Sequence, residues 1–215
     1  MSEEEGSAGM RLNALLVAAR VDPLDAEQTG RFEEYLSLLV RWNARINLTA
    51  VRDEDGILAR HFVESIACAR ALPEEIANLL DFGSGGGFPG IPIALCRPEI
   101  EVTLAEAQGK KAAFLQEVVR VLSVSANVHA GRAELLKMQY ECITLRAVDR
   151  MDEAVETAAR LVASGGWLAL MTTQRDLDRL QLRAGRGFSW QSPIPLPGGD
   201  ERLLALGRLS VSSPV

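Results

Sequence analysis

Residues 79–91 read Leu-Leu-Asp-Phe-Gly-Ser-Gly-Gly-Gly-Phe-Pro-Gly-Ile: an apolar run closes on an acid, passes into glycines and re-enters an apolar stretch. That order demands a strand, a tight turn and a helix. Glycine tolerates positive φ and lets a ligand reach the backbone where a Cβ would block it, so Gly83, Gly85, Gly86 and Gly87 predict a nucleotide-type ligand held at the turn.

The pattern around the turn sets the architecture. Upstream the sequence predicts helices over 11–20, 26–43 and 56–71, the second with Phe32, Leu36, Leu39 and Val40 on one side. From Asn78 onward, short apolar runs alternate with amphipathic stretches, the signature of βα units and a parallel sheet. Strands are expected over 78–82, 101–105, 126–129, 142–147 and 167–171. Helices are expected over 88–96, 110–122, 134–139, 152–162 and 175–183. Two last apolar runs, 188–194 and 203–211, flank Pro197-Gly198-Gly199-Asp200 without room for a helix and should pair antiparallel. The expectation is an α/β, Rossmann-like fold with a mostly parallel seven-stranded sheet and a C-terminal antiparallel hairpin. Residues 1–72 would form an N-terminal helical extension, with 1–9 a frayed tail, and residues 73–215 the main domain.

Composition narrows the class. A chain of 215 residues that is 47% hydrophobic can build a sizeable core, and no apolar stretch approaches the ~20 residues of a membrane span. Cys68, Cys96 and Cys142 stand apart and odd in number, and His61 and His129 make no close pair, so no metal site is expected. The thiols fit a reduced, cytoplasmic protein. A net charge of −6 argues against non-specific coating of nucleic acid, but leaves room for local basic surfaces. Arg175, Arg179 and Arg183 fall four apart on one helix face, and Arg41, Arg45, Arg52 and Arg60 concentrate near the N-terminal helices. For either group alone, a solvated helix face is the reading favoured.

Two ligand classes fit the turn. Gly85, Gly87 and Gly90 satisfy the loose dinucleotide spacing G-x-G-x-x-G. Glu106, at the end of the second strand, suits the ribose diol of either a dinucleotide or another adenosine-type ligand, and could instead cap the helix that follows. Arg146 lies at the carboxyl end of the fourth strand, where its fork could hold a phosphate, a carboxylate or a base acceptor, or simply pair with Asp149 or Glu106. Asn43 and Asn47 read as caps around a turn. His61 reads as an interior histidine, and Trp42 either closes the helical layer or stacks on a base.

The arrangement Asp81-x-Gly83-x-Gly85-x-Gly87 resembles motif I of S-adenosylmethionine-dependent methyltransferases. Further segments resemble one family of them: Arg41 to Ala50 (RWNARINLTA), His61-Phe62-Val63-Glu64-Ser65, Phe88-Pro89-Gly90-Ile91-Pro92, Gly109-Lys110-Lys111 with Phe114-Leu115, Gly131-Arg132-Ala133-Glu134 and Arg146-Ala147-Val148. This is the ribosomal small-subunit methyltransferase G family, also called glucose-inhibited division protein B. The resemblance implies methylation of guanine N7 in the decoding region of 16S ribosomal RNA, with S-adenosylmethionine as cofactor and the RNA or the 30S particle as partner. A monomer is expected, though nothing in the sequence fixes the oligomeric state.

By the same resemblance Gly83, Ser84, Gly85, Gly87 and Phe88 would line the cofactor, Glu106 would take its ribose, and Ala133 and Glu134 its adenine. Arg146 would serve cofactor and catalysis. Lys110 and Lys111 would meet RNA phosphate; the stripe Arg175, Arg179 and Arg183, on its spacing alone, is a further candidate for RNA contact. Three positions depart from the family pattern: Glu64 replaces Asp, Tyr140-Glu141 replaces Phe-Asp, and Leu145 replaces a small polar residue next to the substrate. The competing functions are a small-molecule or protein methyltransferase, a non-catalytic nucleotide-sensing or RNA-binding module, and a dinucleotide oxidoreductase.

Overall fold

The computed structural model describes residues 6–199 and 201–211. Asp200, the segment 1–5 of the expected tail and residues 212–215 lie outside the described residues. The chain opens on helices α1 (Ala8–Ala18), α2 (Ala26–Asn43) and α3 (Glu54–Ile57), the last running through a π-helical turn (Leu58–Val63) into α4 (Glu64–Ala71). Asp25 and Gln28 form a reciprocal capping box at the start of α2. Residues 7–9, expected in the frayed tail, are instead folded: Ser7 caps α1, and the Gly9 amide donates to Glu33 at 2.7 Å, fastening α1 to α2.

The alternating part follows as β1 (Asn78–Phe82), α5 (Gly90–Cys96), β2 (Glu101–Glu106), α6 (Gly109–Leu122), β3 (Ala126–Ala130), β4 (Tyr140–Arg146), α7 (Met151–Leu161), β5 (Val162–Thr173) and α8 (Gln174–Ala184). Strands β6 (Phe188–Trp190), β7 (Ile194–Pro195) and β8 (Arg202–Leu209) complete it. Strand order is β3-β2-β1-β4-β5-β8-β6, with β7 beside β8; β1 to β5 run parallel, and β8 pairs antiparallel with β5, β6 and β7. The single run expected over 188–194 is split because Pro193, which has no N–H to give a neighbour, sits between the two short strands.

Helices cover both faces. Leu12, Phe32, Tyr35, Leu39, Phe62 and Ile66 share one buried cluster with Leu79, Val102 and Leu104, so the N-terminal helices and one sheet face form a continuous core. On the other face, Val155 and Ala158 of α7 and Leu177 and Leu180 of α8 pack with Leu80, Ile143 and Leu168. Both β1 and β4 are buried on both faces, which is why they read as apolar runs rather than alternation.

One expected helix is absent. Residues 134–139 form only a 3-10 turn, Ala133–Leu135, between β3 and β4. Leu135 and Met138 are exposed, so no apolar face is buried there to hold a helix that short.

Candidate active site

The parallel strands reverse direction of progression between β1 and β4, and such a switch point opens a crevice at the strands' carboxyl ends. A cavity of about 570 Å³ lies there, within the range of small-molecule sites. Gly83, Ser84, Gly85 and Gly86 form one wall, Glu106 and Gln108 the next, Gly131 to Glu134 a third. Arg60, His61, Phe88, Arg146 and Arg202 close the opposite end.

Each glycine has its own reason. Gly83 and Gly85 sit at φ +74° and +55°, and at Gly85 the atom nearest an added Cβ is a carbonyl 3.8 Å away. A side chain at Gly85 would project into the cavity. Gly87 and Gly90 face inward instead. A Cβ on Gly87 would lie 2.6 Å from the Tyr35 hydroxyl, and one on Gly90 2.3 Å from Leu104 and 2.7 Å from Asp81. Gly87 was expected to line the cofactor but does not reach the cavity wall; it lets α2 pack against the turn. The dinucleotide spacing Gly85, Gly87, Gly90 is therefore two packing positions joined to one ligand-facing position.

Buried polar groups brace the turn. The Tyr35 hydroxyl donates to the Gly86 carbonyl at 2.5 Å. Asp81 accepts from Thr144 Oγ1 at 2.9 Å and from the Gly90 amide at 3.2 Å; burial pushes its carboxyl up to about 6 against those hydrogen bonds. Glu106 accepts from the Gly85 amide at 2.9 Å and the Gln108 amide at 2.7 Å, which fixes its plane while leaving it on the cavity wall. Glu106 thus ties the glycine turn to the residue before α6 and still lines the cavity.

At the other end Arg146 pairs with neither Asp149 nor Glu106. Its Nη2 donates to the Arg60 carbonyl at 2.6 Å, to His61 Nδ1 at 3.0 Å and to Glu64 Oε2 at 2.8 Å. All three acceptors come from the π-helical turn and the residue after it, a local geometry that recurs at functional sites. A guanidinium can only donate, so His61 Nδ1 carries no proton and its Nε2–H points to Thr49 Oγ1, 2.6 Å away. His61 stacks on Phe88 at 4.9 Å, and burial together with Arg146, Arg60 and Arg202 lowers its pKa to about 3. The ring is neutral at pH 7.

The remaining expected residues fall as follows. Ser84, Phe88, Ala133, Glu134 and Lys111 reach the cavity, and Lys110 and Lys111 border a second cleft with Arg45 and Arg52. Arg175 is exposed at the start of α8. Arg179 pairs with Asp152 and Asp176, and Arg183 with Asp152 and Glu156, so both are tied to α7 or their own helix and lie off the cavity wall. Leu145 is fully buried in the core with Leu170 and Ala205, so it adds nothing to the cavity and takes nothing from it. Asn43 caps as expected, accepting from Leu48 and Thr49 amides; Asn47 instead accepts from Arg52. Trp42 packs edge-on to Phe114 and donates to Glu117, closing the helical layer. Sequence reading missed Thr49, Tyr35 and Arg202. Tyr35 sits among apolar helix positions and Arg202 in a strand after a turn, neither of which marks a site.

A family model for rRNA small subunit methyltransferase G matches residues 28–189. The chain belongs to that family. Among its relatives, the ribosomal RNA small subunit methyltransferase G of Roseiflexus sp. (strain RS-1) is 36% identical over 197 residues, covering 85% of this chain and 84% of that one. The Xanthomonas campestris pv. campestris (strain 8004) protein of the same name is 37% identical over 191 residues, covering 87% and 89%. A Pyrococcus furiosus methyltransferase structure superposes with a TM-score of 0.62 at 12% identity, over 87% of this chain and all (100%) of the other. The fold is thus that of the class I S-adenosylmethionine-dependent methyltransferases, and methyltransferase G members are enzymes of this class. The crevice fits the cofactor: it offers a glycine-built wall at Gly83 and Gly85, a fixed carboxylate at Glu106, and backbone at Ala133 and Glu134.

Proposed function

We propose that this chain transfers a methyl group to N7 of a guanine in the decoding region of 16S ribosomal RNA. One observation carries the reading: in a methyltransferase G chain, a single cavity joins a wall of Gly83, Gly85 and Glu106 to an end lined by Arg60, Arg146 and Arg202. S-adenosylmethionine, when bound, supplies a sulfonium methyl group open to attack.

The protein's own residues hold and orient. Glu106 receives the ribose hydroxyls, Gly83 to Gly85 give close backbone approach, and Ala133 and Glu134 meet the adenine edge. Guanine N7 carries an in-plane lone pair, so the reaction needs no general base. That fits a site whose histidine is neutral with its ring proton committed to Thr49, and whose Asp81 is buried beneath the turn. Orientation is then the main contribution, worth up to ~7–11 kcal/mol in such reactions. Positive charge develops on the purine, so Arg146 holds guanine O6 or a flanking phosphate rather than N7. Lys110 and Lys111 take RNA phosphate beside the cavity mouth. Arg179 and Arg183 are already matched by carboxylates and are left out of that contact. The enzyme works as a cytoplasmic monomer on the RNA or the 30S particle. Among the described residues no helix is long and apolar enough to cross a membrane.

The test is tritium transfer from S-adenosylmethionine to 30S subunits, and to their naked RNA, from cells lacking the modification. Label in N7-methylguanine is expected. In the same assay Arg146→Ala should abolish transfer while cofactor affinity falls only severalfold; wild-type turnover in that variant would remove Arg146 from catalysis.

A further inference from the structure

The least exposed charged group at the site is not one of the arginines. Glu64 has a side-chain exposure of 0%, against 8% for Arg146 and 29% for Arg202. Its Oε2 accepts from Arg146 Nη2 at 2.8 Å and from Arg202 Nη1 at 2.8 Å, and its Oε1 from Arg202 Nη1 at 3.1 Å. Among the described residues, the ion pairs of both guanidinium groups converge on this one carboxylate. Arg146 arrives from β4 and Arg202 from β8, with β5 between them in the sheet, while Glu64 comes from the N-terminal helices.

We propose that Glu64 is a positioning residue for methyl transfer, holding Arg146 and Arg202 together at the substrate end of the cavity. The proposal rests on the methyl-transfer reading of that cavity. Glu64 cannot touch substrate itself, since it is buried behind the two arginines and does not line the cavity. Its effect must pass through them.

Stability alone does not explain the cluster. A buried ion pair gains little over apolar residues of the same volume, because desolvation offsets the attraction. What such a cluster does supply is two like-charged forks fixed side by side, which would otherwise repel. The surroundings tighten the arrangement. Arg60 O and His61 Nδ1 share Nη2 of Arg146 with Glu64, and Gly198, at φ +94°, closes over the carboxylate. A Cβ at Gly198 would lie 2.9 Å from the Ala59 carbonyl and 3.7 Å from Glu64 Oε1.

The experiment compares Glu64→Gln and Glu64→Asp with the unaltered protein, using 30S subunits that lack the modification. It follows kcat by tritium transfer and cofactor affinity by calorimetry with S-adenosylhomocysteine. Loss of the charge should lower kcat about 100-fold, the scale of a misplaced catalytic group, with cofactor affinity within about threefold. Glu64→Asp, which keeps the charge but shortens the reach, should fall between the two. If the Gln variant does not fold, Arg202→Gln carries the test, because wild-type kcat with one of the two forks removed would overturn the proposal. Equal kcat for Gln and wild type, or a loss of kcat matched by an equal loss of cofactor affinity, would overturn it as well. No transfer by the unaltered protein would overturn the methyl-transfer reading and the proposal with it.

Discussion

Single side chains in this protein are set by what lies behind them more than by what they face. Tyr35 is fully buried between Phe62, stacked at 5.1 Å, and Phe88, and its hydroxyl holds a carbonyl of the glycine turn. Tyr35→Phe should cost ~1–3 kcal/mol in urea unfolding, because the Gly86 carbonyl is left buried without its donor, and should weaken cofactor binding with it. Unchanged affinity would separate the turn's conformation from this bond. His61 allows a pH test. Its folded pKa of about 3 lies below the ordinary 6.5, so the unfolded chain takes up the proton first as pH falls. The stability this residue contributes is complete above pH 6.5 and is lost between 6.5 and 3, at up to about 1.4 kcal/mol per pH unit. Asp81, raised from 3.8 to about 6, acts with the opposite sign: its contribution is present below 3.8 and lost as pH rises through 6. The readout is therefore the difference between wild type and His61→Asn in melts from pH 4 to 7, which should shrink as pH falls. A difference independent of pH would contradict the neutral, shielded ring.

Among the elements, α5 and α6 divide the work of the site. Helix α5 starts where Gly90 lets it close onto β1 and β2, and Gly90→Ala would drive a methyl group into Leu104 and Asp81. A loss of ~1–3 kcal/mol is expected from that overpacking, measured by thermal melting; an unaffected midpoint would mean that α5 can shift freely against the sheet. Helix α6 instead presents Lys110 and Lys111 beside the cavity mouth. Changing both to Gln should lower the magnitude of the log K against log salt slope for RNA binding by about 0.7–0.9 per lost phosphate contact. Arg179→Gln with Arg183→Gln on α8 should leave the slope unchanged, since their charges are matched by Asp152, Asp176 and Glu156. The reverse result would move the RNA surface to α8.

At the scale of the whole molecule, the strand and helix order was legible because β1 and β4 are mostly buried runs of five and seven residues between amphipathic stretches, a period that sequence carries directly. The wall of the cavity was legible too, since Gly83 and Gly85 follow β1 and Glu106 ends β2, positions that the same pattern locates. What stayed hidden depends on contacts between distant segments. The meeting of Glu64, Arg146 and Arg202 joins positions 82 and 138 residues apart, and nothing in local spacing announces it. Local signals also misled: Leu145 read as a loss beside the substrate because its neighbour Arg146 faces the cavity, yet successive strand residues point to opposite faces and Leu145 points into the core. Helix propensity over 134–139 failed for want of a buried face. Folded together, these segments place Arg60 and His61 of the N-terminal helical part in the wall of the cavity. The most direct measurement is to methylate unmodified 30S subunits with the purified protein and map the product by mass spectrometry and primer extension. A single N7-methylguanine in the decoding region of 16S RNA is the expected result, whereas no incorporation, or label on another atom or another RNA, would contradict it.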